Sequence, residues 1–416
     1  MDGSGVSDAE DQSTGGWPGP ARSLNGIRVL DLSGNLAGPY CGQILADLGA
    51  QVVKVERPGR GDPARAWAPP DWGGDGTLFL ASNRGKRSLA LELGSDQGAT
   101  ILERLLSRSD VVIQAFRPDV ARRFGLTGKE LRSRHPGLII CTLTAFDPEG
   151  PLGDRPGYDP LIQAHSGILS VTGPRGGAPV RVGTSMMDMG AGMWGALGIL
   201  AALRSRDRDG EGREVQISLE DVGLAWGAYH LMGVEASGQV PGPMGTGLGM
   251  IAPYGAFPTR DGAVILAVGT DELFRRCCLA LGMDEVARDP RFTRNADRVR
   301  HREGLEAAMA EATQGLTREE VEVRMVAAGV PCAPVRDMGE VAADPLVRGG
   351  AFRPEPHPRI PAYRAVAPPP RWDGERSPPG GPPPAVGEHS REILDELGYS
   401  PEVITRLMEE GVVGGP

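Results

Sequence analysis

Ile27-Arg28-Val29-Leu30-Asp31-Leu32, Ser33-Gly34-Asn35-Leu36-Ala37-Gly38-Pro39, Tyr40 to Leu48, and Gln51-Val52-Val53-Lys54-Val55-Glu56 form one continuous stretch. The first and last segments are short apolar runs of strand length. Ser33 to Pro39 reads as a turn, and Tyr40 to Leu48 as a helix with Gly49 just past its end. A strand, helix and strand within about thirty residues is a βαβ unit, which implies parallel strands and a right-handed crossover. The glycine spacing is not G-x-G-x-x-G, so the dinucleotide fingerprint is missing. The turn can still hold an anionic group at the helix start.

The alternation continues outward. Arg87 to Leu93 reads as a strand, Gln97 to Ser107 as a helix, Val111 to Ile113 as a strand, and Leu138 to Leu143 as another. Thr127 and Glu130 form a capping box. Glu214 to Ser218 reads as a strand and Leu219 to Met232 as a helix. The fold class is therefore α/β, with a large doubly wound parallel-sheet domain whose ligands sit at the carboxyl ends of strands. After Ala236 the composition changes. A hairpin around Thr259-Arg260-Asp261-Gly262 and three helices, one opened by the Thr317/Glu320 capping box, describe a smaller α+β domain. The expected divisions are a disordered tail at residues 1–22, a large α/β domain at 23–222, a linker at 223–250, the small α+β domain at 251–330, a return linker at 331–385, and C-terminal helices at 386–416 that pack on the large domain. Pro368 to Pro384 reads as an extended connector.

Arg181-Val182-Gly183-Thr184-Ser185-Met186-Met187-Asp188 leads into the apolar run Met189 to Leu203, where Asp188 is the one carboxylate. Asp188 stands where an N-cap would. Gly190, Gly192, Gly195 and Gly198 each cost the helix roughly 1 kcal/mol against Ala. Such a helix implies a close approach to its backbone. The run is short for a bilayer and carries Asp188, so a buried core helix is expected rather than a membrane span.

The net charge of -10 argues against nucleic acid or an anionic membrane as the main partner. The five cysteines lack metal-ligand spacing and read as reduced thiols in a cytoplasmic protein, and the acidic Gly/Ser-rich start reads as no secretory signal. Metal motifs and G-x-S-x-G are absent. His165, beside the Asp188 region, reads as a satisfied core histidine rather than a base. Tyr158 and Asp159, the loop Gly245 to Gly249, and scattered arginines complete the candidates, each with an ordinary structural alternative.

Leu24 to Leu32, Leu36-Ala37-Gly38-Pro39, Asp47 to Pro58, Asn83 to Ser88, Phe116-Arg117-Pro118, Gly157-Tyr158-Asp159 and Leu397-Gly398-Tyr399 occur in this order. On these motifs the chain, from about Leu24 to Val413, resembles the class III CoA-transferase family (CaiB/BaiF type), which includes formyl-CoA transferases, carnitine CoA-transferases and α-methylacyl-CoA racemases. The resemblance implies an interlocked homodimer and two catalytic residues, Asp188 as the nucleophilic aspartate and Tyr158. It also implies coenzyme A contacts from Leu36, Ala37, Arg57, Leu91, Ala115, Phe116, Arg117, Arg123 and Asp159, and a mobile glycine lid at Gly247 and Gly249 that Leu248 interrupts.

The implied substrates are an acyl-CoA and a small carboxylic acid, with coenzyme A as substrate or product and no tightly bound cofactor. An ordinary carboxylate, with a pKa of about 4, is ionised at neutral pH and attacks a thioester without a separate base. Amides at a helix start can then hold the oxyanion. A racemase is the alternative, but it needs acid/base groups on two faces. The racemase branch has His where this chain has Tyr158, whose pKa of about 10 makes a poor base. A non-catalytic CoA-binding protein is the third reading.

Overall fold

A computed structural model describes residues 23–377 and 380–416. The tail expected at 1–22 and two residues of the proline-rich connector, 378 and 379, lie outside the described residues. By contacts the chain divides into two units. The first comprises the chain through Thr144, Met189–Ile217 and Ala351–Pro416, and the second Ala145–Asp188 and Ser218–Gly350.

The elements that matter are, in chain order, β1 (Arg28–Asp31), α1 (Ala37–Asp47), β2 (Gln51–Glu56), β3 (Lys86–Leu91), α2 (Asp96–Leu106), β4 (Val111–Gln114), α3 (Pro118–Arg123), β5 (Ile139–Thr144), α4 (Asp159–His165), α5 (Met186–Asp209), β6 (Glu214–Ser218), α6 (Leu219–Trp226), α7 (Ala228–Ser237), β7 (Tyr254–Thr259), β8 (Gly262–Ala267), α8 (Arg302–Gln314), β9 (Cys332–Pro334) and β10 (Val413–Gly414). The first unit is built on a seven-stranded sheet in the order β10-β3-β2-β1-β4-β5-β6. β1 pairs in parallel with both β2 and β4. β2 with β3, and β4 with β5, are parallel too. The strand order reverses at β1, and right-handed crossovers in opposite directions from it make the sheet doubly wound. The sheet is mixed rather than wholly parallel, because β10 returns antiparallel beside Leu91 and Ala90 of β3. Two residues of chain are too short a run to signal a strand by alternation, and their pairing is nonlocal.

The sheet's apolar residues Leu30, Leu89, Ile113 and Ile140 are all but fully buried. Each such side chain stabilises the fold by roughly 1.5–3 kcal/mol. β2 matches its expected bounds, and α1 begins three residues earlier, at Ala37. The helix expected over Leu219 to Met232 is two helices, α6 and α7, meeting at Gly227.

The second unit has its own core around Phe257, Leu266, Phe274, Leu305 and Met325. Its hairpin β7–β8 is antiparallel, with Thr259 opposite Gly262, and β9 adds to β8. The capping box at Thr317 and Glu320 opens the helix that follows.

The glycines of α5 have a packing cause. A Cβ on Gly192 would stand 2.6 Å from the carbonyl oxygen of Ala37, and one on Gly198 would stand 2.4 Å from Val215 Cγ1. Gly195 would meet the sulfurs of Cys41 and Cys141 at 3.2 and 3.3 Å. The close approach to this backbone is therefore made by α1 and the sheet of the same unit. α5 is the one helix among the described residues long and apolar enough to cross a membrane, and half of its apolar window is buried in the protein.

Gly192→Ala forces a backbone shift and should destabilise the protein by about 1–3 kcal/mol in denaturant titration. Gly304→Ala, in α8 with nothing within 4 Å of the new Cβ, should be neutral or stabilise by up to about 1 kcal/mol. Equal effects at the two sites would contradict the packing account.

Candidate active site

Asp188 is the third residue of α5, since the helix starts at Met186. It lies in the first turn, not at the N-cap as its sequence context implied. The orphan amides of this helix start are partly used by the chain itself. Met187 donates its N–H to Asp159 Oδ2 at 2.7 Å, and Met186 donates to the Thr184 carbonyl at 2.9 Å. The Met187 amide is thus already committed and does not supply the oxyanion donor expected there.

Asp159 is 2% exposed. Its second oxygen, Oδ1, accepts from Gln163 Nε2 at 2.6 Å, one helical turn along α4. Gln163 in turn accepts the Val182 N–H at 2.8 Å through its Oε1. Burial, then the negative charge of Asp159, push the Asp188 carboxyl up from 3.8 to about 7. The positive end of a helix dipole favours a carboxylate, but here desolvation and the like charge prevail. An ordinary carboxylate pKa near 4 therefore does not describe Asp188.

Tyr158 and Asp159 are neighbours with opposite fates. Tyr158 occupies the N-cap position of α4 and is 54% exposed, whereas Asp159 is interior. His165, at the other end of α4, sets Nδ1 2.7 Å from Glu220 Oε1 and its ring edge-on to Phe146. It is satisfied, as expected, but its side chain is nearly half exposed rather than in the core.

A separate cleft of about 710 Å³ opens in the first unit at the carboxyl ends of β1, β2 and β3. Of the expected coenzyme contacts, Arg57, Leu91, Phe116 and Arg123 line it. Arg60 lines it too, and sequence reading missed that residue although it sits in the same Gly-flanked loop. Leu36 and Ala37 are buried at the start of α1, Ala115 is exposed, and Arg117 faces Asp119 at 3.4 Å; none of these four lines the cleft.

The cleft's carboxylates are largely neutralised from within. Asp62 pairs with buried Lys54 at 2.7 Å, and Glu56 with Arg65 at 2.7 Å. Burial would raise the Glu56 carboxyl, but Arg65 and Lys54 hold it below its usual range. Lys54 also donates to the Ser33 carbonyl, and Asp62 accepts the Asn35 amide, so this buried pair shapes the turn after β1. Among the described residues none of Arg57, Arg60 and Arg123 is ion-paired within 4 Å, and Arg123 lies over the Phe124 ring. The cleft is therefore cationic, which suits phosphate.

The glycine loop lies in the second unit. Arg302, 7% exposed, donates to the carbonyls of Leu248, Gly249 and Ile251 at 2.8–2.9 Å. Gly245 donates to the Gly173 carbonyl, and Gly247 to that of Met244. Opening this loop requires breaking the Arg302 bonds. No group of three or more His, Cys, Asp or Glu among the described residues could hold a metal ion.

A sequence model of CoA-transferase family III matches residues 24–390. The chain is 37% identical over 389 residues to a succinate–glutarate CoA-transferase of Agrobacterium fabrum, covering 90% of this chain and 95% of that protein. It is 32% identical over 398 residues to the human succinyl-CoA:glutarate CoA-transferase, covering 94% and 90%. The crystal structure of a CAIB/BAIF family protein from Brucella suis superposes with a TM-score of 0.80 at 34% identity, covering 90% of this chain and 99% of that one.

The raised Asp188 pKa has a stability consequence. A carboxyl with a higher pKa folded than unfolded favours folding while protonated, and that advantage is lost as pH rises through the folded value. Asp188→Asn should therefore gain Tm over the wild-type protein progressively between about pH 4 and pH 7, with a level difference above. A Tm difference independent of pH would contradict the burial of this charge.

Proposed function

The chain belongs to CoA-transferase family III, and from that membership we propose that Asp188 is the carboxylate through which it moves coenzyme A. The observation that carries this reading is the placement of Asp188: one carboxylate in the first turn of an apolar helix, partly desolvated beside a second, hydrogen-bonded carboxylate. The reaction transfers CoA from an acyl-CoA thioester to a free carboxylic acid.

Ionised Asp188 attacks the thioester carbonyl, the C–S bond breaks, and CoA thiolate leaves a mixed anhydride. The thiolate then attacks the Asp188 carbonyl carbon, which releases the donor acid and forms an aspartyl thioester. The acceptor carboxylate attacks that thioester, freeing the thiolate once more. Attack of the thiolate on the acceptor acyl carbon yields the new acyl-CoA and regenerates Asp188. Nucleophile and leaving group return to their starting states, and no redox partner is required. Desolvation makes the carboxylate more basic and a stronger nucleophile, at the cost of a protonated fraction near neutral pH.

Arg57, Arg60 and Arg123 take the coenzyme's phosphates, with Leu91 and Phe116 as apolar contacts; their shared cleft supports this role. Leu36, Ala37, Ala115 and Arg117 contribute, in this reading, through the turns that border the strand ends. Tyr158 faces the reacting groups, Asp159 acts on Asp188 through the Met187 amide, and the loop holding Gly247 and Gly249 covers the thioester. Both relatives named above act on succinate and glutarate, which supports short dicarboxylic acids as the acyl groups exchanged. The reading includes a cytoplasmic location, supported by five unpaired cysteines.

It also includes the interlocked homodimer. α7 buries no residue, although Tyr229, Leu231 and Met232 are 52%, 50% and 71% exposed. A helix apolar on so much of its surface requires a cover. Sedimentation should give twice the mass of one chain, and a monomer at micromolar concentration would refute the dimer.

Incubation with succinyl-CoA, then with glutarate, should transfer CoA, and mass spectrometry should find an acyl or CoA adduct on Asp188 that Asp188→Ala lacks. An adduct on another residue would sink the assignment. Exchange of an α-proton without CoA movement would point to a racemase instead.

A further inference from the structure

Gln163 is fully buried, and its side chain makes two hydrogen bonds that no other uncharged residue type of that length can make together. It donates to Asp159 Oδ1 at 2.6 Å and accepts the Val182 N–H at 2.8 Å. Asp159 closes the arrangement by accepting the Met187 N–H on its other oxygen at 2.7 Å. Between Val182 and Met187 runs a stretch with little regular structure in which Gly183 and Thr184 are exposed. Its two ends are thus tied to one side-chain pair on α4, where residues four apart share a face.

We propose that Gln163 is a positioning residue for the transfer reaction: through Asp159 and the Val182 amide it fixes both ends of the 182–187 segment that presents Asp188. The proposal rests on the reading of Asp188 as nucleophile. The chemistry demands a primary amide at this position. An ionised carboxylate cannot donate to Asp159, an apolar side chain can neither donate nor accept, and Asn is one methylene short. A buried Asp159 without its donor would also be a poorly satisfied charge, with a weaker hold on Met187.

Gln163 acts on charge as well as on geometry. The Asp159 charge that Gln163 holds in place is the one that, after burial, acts on Asp188. The other titratable groups on α4 and on α6, which packs against it, are Tyr158 at the N-cap, His165 paired with Glu220, and Asp221 hydrogen-bonded to Ser218. His165 and Asp221 spend these side-chain contacts on Glu220 and Ser218.

Gln163→Leu and Gln163→Glu in the full-length protein test this, with kcat, KM for succinyl-CoA and the pH profile of kcat read for each. Gln163→Leu should lower kcat by about tenfold to a hundredfold, the range for a displacement of an ångström at a reacting group, with KM changed less than twofold. Gln163→Glu keeps the acceptor for Val182 and can donate only while it shares a proton with Asp159. Its kcat should therefore fall again at higher pH, giving a bell where the wild-type profile rises to a plateau. Profiles of both variants that match the wild type, or a loss confined to Tm and KM, would overturn the proposal. If Gln163→Leu does not fold, the isosteric Glu variant decides alone. Formation of the Asp188 adduct by the wild-type protein is scored separately, so failure of the nucleophile assignment is told apart from failure of the clamp.

Discussion

One buried hydrogen bond organises the surroundings of Asp188: the Met187 amide donating to Asp159 at 2.7 Å. It places one carboxylate, fully satisfied and interior, against the first turn of the helix that carries another. Two carboxylates in a partly desolvated place cannot both ionise freely. Asp159 accepts a backbone amide and a side-chain amide. Burial first, and the Asp159 charge second, raise the Asp188 carboxyl to about 7. In the proposed reading, the burial that raises the Asp188 carboxyl also makes its carboxylate the stronger nucleophile.

The cationic cleft of the first unit follows the opposite rule. There two of the lining acids are paired inside the wall, Asp62 with Lys54 and Glu56 with Arg65, and the guanidinium groups of Arg57, Arg60 and Arg123 outnumber the remaining acid, Glu92. Breaking one of these buried pairs would leave an uncompensated charge, typically a loss of about 3–5 kcal/mol. The same pair holds the turn after β1 by the Ser33 carbonyl and the Asn35 amide. Cleft shape and cleft charge are consequently one property of this wall.

Much of this was legible in the chain itself. The βαβ stretch from Ile27 to Glu56 announced the sheet because its periodicity and its turn residues agree. Asp188 stood out as a lone carboxylate in an apolar run. The α5 glycines announced a close approach, but whether a ligand or a neighbouring helix makes it depends on Ala37 and Val215, which are distant in sequence. The helix break at Gly227 was hidden because the apolar pattern continues across it. Val413 and Gly414 joined the sheet edge without any local pattern. Gln163 was passed over because a glutamine in a helix is ordinarily a surface residue, and only the fold buries it against Asp159 and Val182. Arg60 was missed for a similar reason: its value lies in facing Arg57 and Arg123, and spacing along the chain does not show that. The raised pKa of Asp188 required the three-dimensional position of Asp159, twenty-nine residues earlier.

The account stands most directly on the ionisation of one side chain. Carbon-13 NMR titration of the Asp188 carboxyl, assigned by its loss in Asp188→Asn, measures it in the intact protein. A midpoint near pH 7 that moves toward lower pH in Asp159→Asn is the result the account requires. A midpoint near pH 4, unchanged by that substitution, would show that neither burial nor Asp159 tunes the carboxylate, and the account would be wrong at its centre.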